Sequence, residues 1–189
     1  METKRFLDLV LEDDGHYCVF AARDGTVKQK FYTSVEDVIS AATDFDANGY
    51  DAYFALATLE EAGSRKADNV RSLKSFFLDL DCGPDKEFVD QKTAITELKH
   101  FCKSNNLPTP TLINSGRGVH VYWILSEAVT RDDWWPVAER LKQLCDTDGF
   151  KRVCYVYRLR IITRVTPLPL LRFLVWKLSV PWTLIRLRN

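Results

Sequence analysis

The sequence predicts an α/β fold, a mixed sheet with helices packed on it, from three observations. Short runs rich in β-branched and aromatic residues, bounded by turn residues, recur as far as Leu125. Between them lie segments with apolar residues at helical spacing behind polar N-caps. Apolar residues make up 46% of the 189-residue chain, enough to fill one core.

Residues 17–22 and 27–32 read as two strands around Arg23-Asp24-Gly25, a hairpin signal. Ser34 suits an N-cap, with Glu36 and Asp37 placed in the first turn of a helix that ends before Asn48-Gly49. Residues 51–59 form an aromatic and aliphatic strand, and 60–70 a polar loop containing Ser64-Arg65-Lys66. A strand follows over 74–81. The helix expected over 87–105 places Phe88, Ile95, Leu98, Phe101 and Cys102 on one stripe. Pro108-Thr109-Pro110 breaks the chain. Strands over 111–114 and 119–125 flank Ser115-Gly116-Arg117-Gly118. Thr130 then caps a last helix through about Leu144, with Asp132 and Asp133 in its first turn.

Two of these segments carry chemistry. Phe76-Phe77-Leu78-Asp79-Leu80-Asp81 is an apolar strand closing on two carboxylates. In a strand, side chains two apart share a face at roughly 7 Å, so Asp79 and Asp81 project together while Leu80 enters the core. Carboxylates so close repel unless a cation lies between them, and hard divalent ions take carboxylate oxygens together with substrate phosphates. Downstream, Ser115-Gly116-Arg117-Gly118-Val119-His120-Val121-Tyr122-Trp123 supplies a hydroxyl, a guanidinium and an imidazole around a small-residue turn. Gly116 and Gly118 let backbone N–H groups approach a phosphate, and Arg117 can bind one in bidentate fashion. Alternation puts His120 on the face of Tyr122, opposite Val119, Val121 and Trp123. Together the segments read as a metal-plus-phosphate site for nucleotidyl transfer. Arg65 and Lys66 offer further phosphate contacts.

This order, Asp-x-Asp and then Ser-Gly-x-Gly-x-His leading into an aromatic-rich strand, resembles the archaeo-eukaryotic primase superfamily. The likeness is greatest to the primase-polymerase domains of phage and plasmid replication proteins, and it runs from about residue 35 to about 150. It implies an RRM-like catalytic core. It implies Asp79 and Asp81 as catalytic metal ligands for Mg²⁺ or Mn²⁺. Ser115, Gly116, Arg117, Gly118 and His120 would bind the nucleotide, with His120 also catalytic. The partners implied are nucleoside triphosphates, a single-stranded nucleic-acid template and a replicative helicase. A third metal-binding carboxylate is expected downstream of His120, for which Asp146 and Asp148 are the acids left after the last helix. Two alternatives stay open: a replication domain that binds nucleotide or nucleic acid without catalysis, and another phosphotransfer or nuclease domain built on an Asp pair.

The net charge is zero, yet unevenly distributed. Nine of the 26 Lys and Arg and none of the 26 Asp and Glu lie beyond residue 150, so residues 1–150 carry a net charge of −9. The segment 151–189 loses helical and strand periodicity and reads as a degraded or out-of-frame tail, leaving the fold incomplete at its C-terminal end; a basic nucleic-acid-binding arm is the other reading. Its apolar stretch is interrupted by Arg172, Lys177 and Pro181 and does not read as a membrane span. The start, Met1-Glu2-Thr3-Lys4-Arg5, does not read as a signal peptide. Five scattered cysteines without Cys-x-x-Cys spacing predict reduced thiols in a cytoplasm, which the resemblance implies is that of a bacterial or archaeal host cell.

Overall fold

A computed structural model describes residues 2–116 and 118–147, with 162–164 described by backbone alone. It opens on an element absent from the sequence pattern, helix α1 (Glu2–Val10), which buries Phe6, Leu7 and Val10. Strands β1 (Tyr17–Arg23) and β2 (Thr26–Tyr32) pair antiparallel, with Tyr17 opposite Tyr32 and Arg23 opposite Thr26. The hairpin closes through Asp24 (φ 48°) and Gly25 (φ 78°), two left-handed residues of the kind a two-residue turn requires. Helix α2 (Val35–Ala47) begins at Ser34, whose hydroxyl accepts from the Asp37 N–H at 3.1 Å.

The expected strand over 51–59 is two strands in two sheets. β3 (Asp51–Ala55) pairs with β1, whereas β4 (Thr58–Leu59) pairs with the start of β5 (Val70–Asp81). Leu56 and Ala57 make the crossing and are buried, so no polar or glycine residue marks the break. The helix expected from residue 87 begins later, as α3 (Gln91–Ser104), because the Asp90 side chain accepts from the Thr93 N–H at 2.7 Å and caps it. Phe88 instead bridges to Cys82, its carbonyl accepting from Gly83 N–H at 2.9 Å, and its ring joins the core. β6 (Thr111–Asn114) and β7 (Gly118–Val129) follow, the latter running beyond its expected end. α4 (Arg131–Thr147) is capped by Thr130, which accepts from Asp133 N–H and donates to the Asp133 carboxylate.

The strands form two four-stranded antiparallel sheets, β2-β1-β3-β8 and β4-β5-β7-β6, where β8 is Ile162–Arg164. Helices α3 and α4 cover one face of the second sheet, burying Leu78, Leu80, Val119, Val121 and Trp134 in one cluster. Its other face turns Phe77, Ile113 and Tyr122 into a second cluster with α1, α2 and the first sheet. Phe6 joins the two sheets, its ring 6.3 Å from Phe54 and 5.0 Å from Tyr122, both edge-on. The expectation of an unpacked tail falls mostly on residues 151–161 and 165–189, outside the described residues. Within that tail, β8 pairs with β3, setting Arg164 opposite Tyr53 and Ile162 opposite Ala55. Among the described residues no helix is long and apolar enough to cross a membrane, and Cys18, Cys82, Cys102 and Cys145 are free thiols.

Candidate active site at the open end of two paired strands

The alternation of β5 decides which groups reach the site. Leu78 and Leu80 are fully buried against α3 and α4, so Phe77, Asp79 and Asp81 face the other way. The register places Asp79 directly opposite His120 and Asp81 opposite Gly118. Asp79 Oδ1 lies 3.6 Å from His120 Nε2. The imidazole is held edge-on to Phe77, with ring centres 5.3 Å apart, and Tyr122 follows on the same face. Its Nδ1 is buried without a hydrogen-bond partner. Such an atom calls for a ligand, a water or a catalytic role.

Asp79 and Asp81 differ in environment. Asp81 stands at the strand end with 60% of its side chain exposed and Lys86 Nζ 3.2 Å from its carboxylate. Asp79 is two-thirds enclosed; burial, and then the charge of Asp81, push its carboxyl up to about 6. Burial likewise draws His120 down to about 4, against the upward pull of Asp81. Between those values the pair holds one proton, as a carboxylic acid beside a neutral imidazole. A divalent cation would reverse the pressure on Asp79, favouring its ionised form. The enclosed carboxylate of Asp79 and the accessible one of Asp81 therefore fit a hard metal ion bound through oxygen.

The turn between β6 and β7 is built for close approach. A Cβ on Gly118 would lie 2.2 Å from the Leu80 carbonyl oxygen, so only glycine lets β7 pass that close to β5. Gly116 has φ 87° with open space around it; conformation, not room, requires glycine there. Two amides of the turn, those of Ser115 and Gly116, are engaged internally. Ser115 N–H donates to the Gly118 carbonyl at 3.1 Å, and Gly116 N–H to Asn114 Oδ1 at 2.7 Å. Gln91, the first residue of α3, donates to the same Asn114 oxygen at 2.8 Å and to Gly118 O at 3.1 Å. The sequence pattern missed these two bracing side chains. Asn114 carries the usual polar signal of a strand end, but the reach of Gln91 depends on where α3 docks.

Ser115 is half-buried in the turn, and Arg117 lies outside the described residues. Asp146, one candidate for a third carboxylate, belongs to α4, which packs on the sheet face opposite Asp79; it is exposed there. Asp148 lies outside the described residues. Among the described residues no group of three or more His, Cys, Asp or Glu side chains is assembled to hold a metal ion.

The fold is that of a phage primase-polymerase domain. The structure is similar to the AEP domain of the primase-polymerase of cyanophage S-2L, with a TM-score of 0.58, 18% identity, and coverage of 86% of this chain and 78% of that one. In sequence, 101 residues are 28% identical to a replication protein of Clostridium perfringens, covering 53% of this chain and 24% of that protein. The chain thus spans about a quarter of the length of the curated relative it matches. No family model matches the chain.

Proposed function

We propose that this domain carries out metal-dependent, template-directed nucleotidyl transfer in replication. One observation carries the reading: on a primase-polymerase fold, Asp79 lies 3.6 Å from His120 at the end of β5, with Asp81 one step further along the same face. Asp79 and Asp81 would hold Mg²⁺ or Mn²⁺, which when bound activates an attacking 3′-hydroxyl and stabilises the leaving pyrophosphate. His120, neutral at pH 7 because burial holds it near 4, donates one ring N–H to a phosphate oxygen and does not supply a positive charge. The Ser115 hydroxyl adds a second donor at the mouth of the turn, and Arg117 a bidentate one. Gln91 and Asn114 keep the turn in place while those donors act. A single-stranded template and nucleoside triphosphates are the substrates, and a replicative helicase is the partner such a domain serves.

Asp79→Ala and Asp81→Ala should each abolish Mn²⁺-dependent nucleotide incorporation on a primed template while leaving the thermal midpoint unchanged or raised, since each removes a repelling carboxylate. Wild-type incorporation by either variant would overturn the assignment. A second reading, a domain that binds nucleotide without synthesis, is favoured by the presence of two and not three assembled carboxylates among the described residues. Nucleotide titration in saturating Mn²⁺ separates the two: binding with no incorporation by the wild type selects the second.

A further inference from the structure

Away from Asp79, the edge of the first sheet forms an open groove of about 550 Å³ between β2 and α2. Resting on the primase-polymerase reading above, we infer that this groove is a docking track for the phosphate backbone of single-stranded nucleic acid. Arg23, Lys28 and Lys30 line its sheet wall. The pairing of Ala21 with Lys28 and of Val19 with Lys30 puts both lysines on the face that packs α2. They are two residues apart on one strand, hence roughly 7 Å from each other, a spacing comparable to that of neighbouring phosphates in an extended single strand.

The three cations are held by aromatic faces. Arg23 Cζ lies 4.5 Å and Lys28 Nζ 4.4 Å from the centre of the Tyr50 ring, and Lys30 Nζ lies 5.4 Å from that of Phe45. A ring face fixes an ammonium in place without neutralising it. Neither lysine has a carboxylate within ion-pair distance among the described residues. Arg23 donates to the Asn48 carbonyl at 2.7 Å and has the highly exposed Asp24 at 4.0 Å. The two lysines are therefore positioned without a paired carboxylate, in a body whose first 150 residues carry a net charge of −9. A local concentration of cations against that background selects a polyanion.

The opposite wall narrows the polyanion's identity. Asp37, Ser40 and Asp44 of α2 line it, and these carboxylates repel a partner that is anionic on both sides. A single nucleic-acid strand is anionic along its backbone and carries amino donors on its bases, so its phosphates face β2 while base amino groups meet the acceptors of α2. An acidic peptide offers no such second face. β2 is also an edge strand, mostly exposed, which leaves the track open at both ends for a chain longer than the groove.

The test is fluorescence anisotropy of a labelled oligodeoxycytidylate, whose bases carry amino groups, with full-length protein across a salt series. The double variant Lys28→Ala/Lys30→Ala should bind at least about tenfold more weakly, and its slope of log K against log salt should fall by about 1.4, at 0.7 per lost phosphate contact. The charge-matched double variant Lys99→Ala/Lys103→Ala, on the exposed side of α3, should bind as wild type. All variants should keep the wild-type thermal midpoint. An unchanged affinity and salt slope in the double variant would overturn the groove. So would polyglutamate competing as well as the oligonucleotide. Nucleotide incorporation is measured in parallel. Lysine-dependent oligonucleotide binding without incorporation keeps the groove and removes the catalytic reading. Incorporation with no lysine dependence of binding does the reverse.

Discussion

The two faces of the β5–β7 pair are made from alternate residues of the same strands, yet they differ in almost every physical respect. One face carries Phe76, Leu78, Leu80, Val119 and Val121, sealed under α3 and α4, with Phe76 stacked on Trp134 at 5.4 Å. The other begins as core, at Phe77 and Tyr122, and turns polar at Asp79, His120 and Asp81, where the helices no longer cover it. The sealed face fixes the strands so firmly that the open face can hold an enclosed carboxyl, an orphaned imidazole nitrogen and a close backbone crossing. Each of these costs stability, and the apolar side offsets the cost. If this is right, damage to one face should unfold the domain, while damage to the other should disable it.

The largest effect should come from the sealed face. Leu78→Ala or Leu80→Ala removes a fully buried side chain and should cost about 2–5 kcal/mol, seen as a lowered urea midpoint. Asp79→Asn, one residue away, should cost nothing. Equal losses in both would erase the distinction between the faces. Gly118→Ala comes next: its methyl would collide with the Leu80 carbonyl, forcing β5 and β7 apart at about 1–3 kcal/mol. Gly116→Ala, with open space and only a left-handed φ to oppose it, should cost about 1 kcal/mol. A thermal comparison of the two glycine variants separates steric from conformational demand.

Acid titration in metal-free buffer sharpens the contrast further. Asp79 takes up a proton more readily folded than unfolded, so its contribution to stability falls as pH rises from about 4 to about 6. His120 is harder to protonate folded than unfolded, so its contribution rises from about 4 to its ordinary value near 6.5. The slopes oppose each other, and the wild-type thermal midpoint should be nearly flat across that window. Asp79→Asn should expose the rise and His120→Gln the fall, each on the order of 1–2 kcal/mol. Parallel curves for all three proteins would refute this account of the site. The smallest effect is on ligand: Ser115→Ala removes one neutral donor and should weaken nucleotide binding about three- to tenfold, measured by titration in saturating Mn²⁺.

How much of this could be read from the chain follows the range of each interaction. Strand alternation placed Leu80 in the core and His120 beside Tyr122, because side-chain direction is local. The Ser34 and Thr130 caps were legible for the same reason. The division of residues 51–59 between two sheets was not, since Phe54 to Leu59 is continuously buried and the crossing leaves no polar mark. Phe88 fits the apolar stripe of α3 but belongs to the loop before it, because Asp90 caps the helix and starts it four residues later than the pattern suggests. α1 escaped notice because its nine residues carry as much charge as apolar surface, and its apolar stripe finds its partners in α2 and in distant strands. In the site, the convergence of Asp79 and His120 was expected from the two motifs, while their direct opposition is a matter of register that no local signal sets. The bracing of the turn by Gln91 needed the docking of a whole helix.

The contact of Phe6 with Tyr122 has a bearing on folding. The two rings stand 116 residues apart in sequence (122 less 6), with Phe54 between them. A nine-residue helix is marginal alone in water, so α1 owes its stability to what it packs on. Val35 and Val38 of α2 come from nearby in the chain, whereas Tyr122 lies across a loop whose closure is slow. One short helix thus ties a local partner to a remote one, and the remote contact pins the seam between the two sheets.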